Sequence, residues 1–232
     1  YNAAPAVIIH PGRHTTWYGD DTQRLRAVAI LNAILGSWGR RGGFYFPERA
    51  KVPEYPVPEF PKPARMPWDA YEGRYTLANE VVANGLCDAT IPTVEESCNF
   101  KGWIVNGTNL LFALPDIENT MKAIQALELL VVVDTMPVEM TGYADVVLPE
   151  CTFMERYDML RSSPGREPNI ALRMPAAEPK YNSKPADWMA RELAKKLGLE
   201  AYFPWKDMEE LLDWQLREMG SSLEEMKRIG VK

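Results

Sequence analysis

The apolar run "LLVVV" at 129–133 ends at Asp134, and after a short connection a second run, "DVVLP", opens at Asp145. Leucine and β-branched valine in unbroken succession suit a strand buried on both faces, the kind found inside parallel sheets. The run cannot cross a membrane, because a spanning helix needs about 20 apolar residues. Together with its neighbour "ALE", which carries Glu128, it stays far below that length.

The sequence before it completes a unit. Trp103 to Val105 reads as a strand, a loop follows, and 115–127 has the pattern of a helix with Pro115 suited to its first turn. A strand, a crossover helix and a second strand connect right-handedly, which makes the two strands parallel. The fold class expected is therefore α/β, a Rossmann-like parallel sheet flanked by helices. A brief helical turn is expected at 139–143, then the strand "DVVLP", and "NIALRM" reads as a further strand. The stretch "ADWMARELAKKLG" at 186–198 is an amphipathic helix with Trp188, Met189, Leu193 and Leu197 as its apolar positions. Two mixed-charge helices, near 205–219 and 222–229, complete the chain.

Toward the other end, "AVIIH" at 6–10 looks like a buried strand and "PGRHTTWYGDD" like a loop. A helix is expected over about 22–38, capped by Asp20, Asp21 or Thr22 and ended by Gly39. The segment 52–68 carries six prolines in seventeen positions, which rules out a central strand or a helix interior. Its aromatic residues Tyr55, Phe60 and Trp68 point to an ordered surface crossing packed against something. A modest helix over 76–84, ending at Gly85, follows it. The chain opens "YNAAP" without methionine and enters a strand almost at once, so it reads as a piece of something longer.

Charge narrows the partners. With 26 Lys and Arg against 32 Asp and Glu, the net charge of −6 argues against nucleic acid, since phosphate binding needs clustered cations in excess. The 46% hydrophobic content suffices for one sizeable core or two small ones. Cys87, Cys98 and Cys151 lack paired spacing, so buried thiols fit better than zinc ligands or disulfides.

In an open parallel sheet, ligands sit beyond the carboxyl ends of the strands. "NGTN" at 106–109 and "DT" at 134–135 follow two such ends. Gly107 permits close backbone approach, while Thr108 and Asn109 offer short donors and acceptors near a helix start able to take a phosphate. Asp134 can accept two donors from a ribose diol or a guanine edge, with Thr135 beside it; equally, Asp134 can cap the turn that follows. Asp145, at the start of its strand, reads as a cap or turn residue, and Thr141 fits either purpose. No G-x-G-x-x-G follows a strand, which weakens a nicotinamide enzyme. In "HPGRHT", Pro11 and Gly12 disfavour the helix on which His10 and His14 would chelate a metal. Arg13 can present a bidentate cation to an anionic substrate, with His14 as donor or proton carrier, or it can serve a structural ion pair.

These residues resemble a known family. "GWIVNGTNLLFALPD", "LELLVVVDTMPVEMTGYADVVLPECTFMERYDML" and "ADWMARELAKKLG", in that order, are similar to the molybdopterin oxidoreductases of the dimethyl sulfoxide reductase superfamily. "PGRHTTWYGDDTQRLRAVAILNAILGSWGRRGGF" is similar to the preceding part of the same subunits, most of all those reducing polysulfide or thiosulfate. Two departures are visible: Leu110 stands where many members have proline, and Met140 precedes Thr141 where many place threonine directly after the glutamate.

The resemblance implies a fragment of a larger multidomain catalytic subunit that carries two molybdopterin guanine dinucleotides around one molybdenum or tungsten. It implies 1–46 as a strand-loop-helix segment, 47–101 as a crossing or insertion, and 102–232 as the pterin-dinucleotide-binding domain. Gly107, Asn109, Asp134, Thr135 and Asp145 fall on dinucleotide-holding positions, and Arg13 with His14 on the substrate side of the metal pocket. It further implies an iron-sulfur cluster in an N-terminal part not in this sequence, and a metal ligand that this sequence does not supply. An iron-sulfur electron-transfer subunit, a membrane quinol-oxidising subunit and an anionic sulfur substrate are the partners implied, on the periplasmic or outer face of the cytoplasmic membrane, without membrane insertion of this chain. The fragment alone is expected to be inactive. Rival readings are a nicotinamide-dependent dehydrogenase domain and a non-catalytic module that kept the fold and lost the ligand.

Overall fold

The computed structural model describes residues 7–10, 22–61, 85–93 and 98–232. Its elements run α1 (Thr22–Ile34), α2 (Gly85–Asp88), β1 (Gly102–Asn106), α3 (Leu110–Ala113), α4 (Ile117–Ala126), β2 (Leu129–Asp134), β3 (Val146–Pro149), β4 (Arg161–Ser163), β5 (Asn169–Ala171), α5 (Ala186–Leu197), α6 (Met208–Glu218) and α7 (Leu223–Ile229). A 3₁₀ turn at Glu139–Gly142 joins β2 to β3, where the sequence places a helical turn. The chain is α/β and forms two compact units: the described parts of Tyr1–Phe46, Pro63–Trp103 and Asn109–Leu129, and Pro47–Lys62 with Ile104–Thr108 and Leu130–Lys232.

In the first unit, α1 stops earlier than its apolar spacing suggests. Gly36, at φ +62°, closes it: the Gly36 N–H donates to the Ala33 carbonyl at 3.0 Å and the Ser37 N–H to the Asn32 carbonyl at 2.9 Å. That double bond around a left-handed glycine is a Schellman ending, so Gly36 and not Gly39 terminates the helix. Among the described residues, 7–10 joins no strand. Instead the buried Asn32 side chain accepts from the Ile9 N–H at 2.9 Å and donates to the Ile9 carbonyl at 2.8 Å, and the Ser37 hydroxyl donates to the Val7 carbonyl. A helix side chain thus does what a neighbouring strand would.

The expected helix at 76–84 lies outside the described residues, and Gly85, expected to end it, is itself helical. Asp116 caps α4 by accepting from the Asn119 N–H at 2.9 Å, so Pro115 precedes the helix and does not sit in its first turn. Trp103 is buried, and its indole N–H donates to the Thr90 hydroxyl at 3.1 Å, which satisfies the one polar atom that burial would orphan.

In the second unit the sheet order is β1-β2-β3. β2 and β3 run parallel with Val131 opposite Val146 and Asp134 opposite Pro149. β2 is central and Leu130 to Val133 are all buried, as an unbroken apolar run requires. Met189 of α5 packs on Val131 and Val133, with Leu148 at its edge. Leu193 and Leu197, apolar positions in the sequence pattern, stay exposed.

The larger core of this unit is made elsewhere. Leu160, Ile170 and Leu172 on the antiparallel hairpin β4-β5 meet Leu212, Leu216, Leu223 and Met226 from α6 and α7. Asp207 caps α6 and Ser222 caps α7, each accepting from the backbone N–H three residues on. The proline-bearing segment is docked over its described part, 52–61, as Tyr55 and Phe60 suggest, while Trp68 lies outside the described residues. Ala50 and Val52 pack on the core, the Gln215 amide donates to the Pro53 carbonyl at 2.9 Å, Tyr55 lies against Trp205 and Trp214, and Phe60 stacks on Tyr202 at 4.8 Å.

Candidate functional site

The carboxyl ends of β1 and β2 lie side by side, because the Gly107 N–H donates to the Val133 carbonyl at 2.9 Å. Gly107 sits at φ +61°, a left-handed conformation that glycine adopts without strain, and among the described residues no atom beyond its chain neighbours lies within 4 Å of where its Cβ would be. The glycine thus turns the chain out of the strand and leaves its backbone open to approach. Thr108 follows it, half-buried.

At the end of β2, Asp134 Oδ1 accepts from the Thr135 N–H at 2.7 Å, with the Thr135 hydroxyl at 3.5 Å. This is the turn-capping role. The second carboxylate oxygen has no partner among the described residues, so Asp134 caps its turn and still offers one charged acceptor at the strand end. Met136 is 64% exposed and lays an apolar side chain next to it in the chain. The Thr141 hydroxyl, meanwhile, is taken by the Val138 carbonyl at 2.6 Å.

Gly107, Thr108, Asp134 and Thr135 are brought to one edge of one unit. Asp145 is not. Its Oδ2 accepts from the Leu130 N–H at 2.7 Å and its own N–H donates to the Leu130 carbonyl at 2.9 Å. It therefore stands at the amino ends of β2 and β3, a strand's length from Asp134 and engaged with backbone, in the cap role its position suggests. Asn109 belongs to the other unit and is the N-cap residue of α3, its carbonyl accepting from Phe112 and Ala113. Arg13 and His14 lie outside the described residues.

Burial pushes the Cys87 and Cys151 thiols up, away from the reactive thiolate form. Among the described residues no group of three His, Cys, Asp or Glu side chains could hold a metal ion. No described helix is long and apolar enough to cross a membrane. Among the described residues the edge offers an open glycine backbone and a carboxylate oxygen with no protein donor aimed at it.

One charged group went unread in the sequence. Glu150, the residue after β3, is buried, and its carboxylate pairs with Arg156, which also reaches Asp158 at 3.2 Å; Asp158 in turn pairs with Arg173. The signal available was a cluster of charges directly after an apolar strand, which reads as solvated surface until the packing of α5 is known.

Residues 2–196 match the family model described as molybdopterin oxidoreductase. The chain is similar to the thiosulfate reductase molybdopterin-containing subunit PhsA of Salmonella typhimurium, 28% identical over 98% of this chain and 32% of that protein. It is also similar to the probable dimethyl sulfoxide reductase chain YnfF of Escherichia coli, 25% identical over 99% of this chain and 30% of that protein. Among solved structures, acetylene hydratase from Pelobacter acetylenicus superposes with a TM-score of 0.56 over 71% of this chain and 23% of that one, at 24% identity, a likeness of fold. The chain spans about a third of the length of the curated relatives it matches.

Proposed function

The chain belongs to the molybdopterin oxidoreductase family, and on that premise we propose that it is the part of a catalytic subunit that grips the guanine end of a molybdopterin guanine dinucleotide. The observation that supports this is the edge formed by Gly107 and Asp134. Asp134 would accept from the guanine edge or the ribose diol through the oxygen left over from capping, and Gly107 would let the nucleotide lie against backbone. Thr108 and Thr135 add hydroxyls on either side, and Asn109 continues the same loop in sequence.

When bound, the metal-pterin group supplies two-electron redox chemistry, and the protein supplies binding, orientation and electrostatics. The complete subunit would carry two such dinucleotides around one molybdenum or tungsten, with an iron-sulfur cluster outside this sequence. The similarity to a thiosulfate reductase subunit favours an inorganic sulfur compound, thiosulfate or polysulfide, as substrate. Arg13, with His14, would draw that anion toward the metal. Electrons would arrive through an iron-sulfur subunit from a membrane quinol-oxidising subunit, at the outer face of the cytoplasmic membrane.

Asp134→Asn tests the reading cleanly. Asparagine Oδ1 can still accept from Thr135, so the turn survives, while the open oxygen becomes a donor. A hydrogen bond to a charged group is worth about 1.5–3 kcal/mol. The full subunit carrying Asp134→Asn should therefore purify with markedly less pterin and metal than wild type; undiminished content would return Asp134 to its capping role alone. Arg13→Ala in the same subunit should leave metal content unchanged and raise KM for the sulfur anion roughly tenfold, the cost of one charge-assisted contact. Unaltered kinetics would make Arg13 structural.

A further inference from the structure

Asp134 is pinned on both sides of its strand. On one, the Gly107 N–H holds the Val133 carbonyl at 2.9 Å; on the other, the Glu150 N–H holds the carbonyl of Asp134 itself at 2.9 Å. The Glu150 side chain ties that second donor to a further element. Its carboxylate is 5% exposed, pairs with Arg156, and accepts from the Ala186 N–H at 3.3 Å.

Ala186 opens α5, and the N-cap position there is Pro185, which has no side-chain acceptor to offer the helix start. Glu150 supplies the missing cap from another element, a negative charge where the helix dipole favours one. Its backbone is tied as well. Lys184 donates to the Pro149 carbonyl at 3.1 Å and Cys151 to the Lys184 carbonyl at 3.2 Å, so Glu150 bridges the end of β3 to the start of α5.

We propose that Glu150 is a positioning residue for Asp134: held by Arg156 and by the start of α5, it fixes the carbonyl, and so the side-chain direction, of the carboxylate that takes the guanine. Glu150 is buried and acts through Asp134, not on the nucleotide itself. This rests on the dinucleotide reading above, and the test separates the two.

The full holoenzyme is diluted into buffer and the loss of pterin guanine dinucleotide is followed by the fluorescence of the released pterin, in wild type, Asp134→Asn, Glu150→Gln and the double variant. Coupling between residues in one network typically amounts to severalfold to about a hundredfold. Each single variant should lose the dinucleotide about tenfold faster, and the double variant no faster than Asp134→Asn alone. A double variant that multiplies the two effects, or Glu150→Gln releasing at the wild-type rate while Asp134→Asn releases fast, overturns the positioning role and leaves the guanine reading standing. Asp134→Asn releasing at the wild-type rate overturns the guanine reading and the positioning role with it. If Glu150→Gln does not yield folded subunit, Arg156→Lys, which keeps the charge and loses the shared fork, reads the same coupling.

Discussion

Leu212→Ala should destabilise the second unit by about 2–5 kcal/mol, the range for truncating a fully buried leucine in a core that collapses only partly. Leu212 is completely buried among Leu160, Ile170, Leu172, Leu216, Leu223 and Met226. Its neighbours come from the hairpin strand β5, from residues flanking the two hairpin strands and from the helices α6 and α7, so no single shift refills the space. The Val231 backbone adds a further constraint by pairing with Ala171 at the hairpin's edge. Urea unfolding would show a midpoint lowered by ~1 M or more with the slope unchanged. Leu197→Ala is the control, because that side chain is 69% exposed and should stay within about 0.5 kcal/mol of wild type. An unmoved midpoint for Leu212→Ala would mean that the core of this unit is not where the packing places it.

The elements around the sheet were readable because local pattern and tertiary role agree in them. β2 is apolar throughout and central; α5, α6 and α7 have helical spacing, and Asp207 and Ser222 cap where such residues do. Legibility failed where long-range contacts decide. β4 is three residues, "RSS", with no apolar run; it is a strand because β5 pairs with it and the C-terminal helices cover the hairpin. Two glycines three apart, Gly36 and Gly39, could each end α1, and both adopt positive φ. The choice falls to Gly36, where the N–H groups of Gly36 and Ser37 reach back to carbonyls of the last turn.

The candidate site divides the same way. Gly107 and Asp134 were visible because strand ends and turn chemistry are local, and of the two possibilities left open for Asp134 the turn contact is made by one oxygen, with the other left over among the described residues. Asp145 shows the limit of matching a residue to a family position, since its carboxylate is engaged at the opposite end of the strands. Glu150 was hidden because Glu150, Glu155, Arg156 and Asp158 look alike in sequence. Only Glu150 of the four is buried; Glu155 accepts from the Thr152 N–H at 2.8 Å and from the Lys180 N–H at 3.2 Å, and is held below the usual carboxylate range chiefly by the Thr152 contact.

That difference makes Arg156 a sensitive charge in the second unit. Removing the cation from a buried pair leaves the other charge uncompensated, at a cost of about 3–5 kcal/mol. Arg156→Met keeps much of the stem's apolar packing and strands Glu150, whereas Asp158 still has Arg173. Glu150→Gln should be milder, because Arg156 retains Asp158 and the glutamine oxygen can still cap Ala186. The double change Glu150→Gln with Arg156→Met should then recover much of what Arg156→Met alone loses, since no buried charge remains unpaired. Denaturant titration of the three variants decides it. Arg156→Met and Glu150→Gln costing the same would mean that the cation, not the buried carboxylate, is the group the fold must satisfy, and the cap on α5 would lose its claim to hold the end of β2 in place.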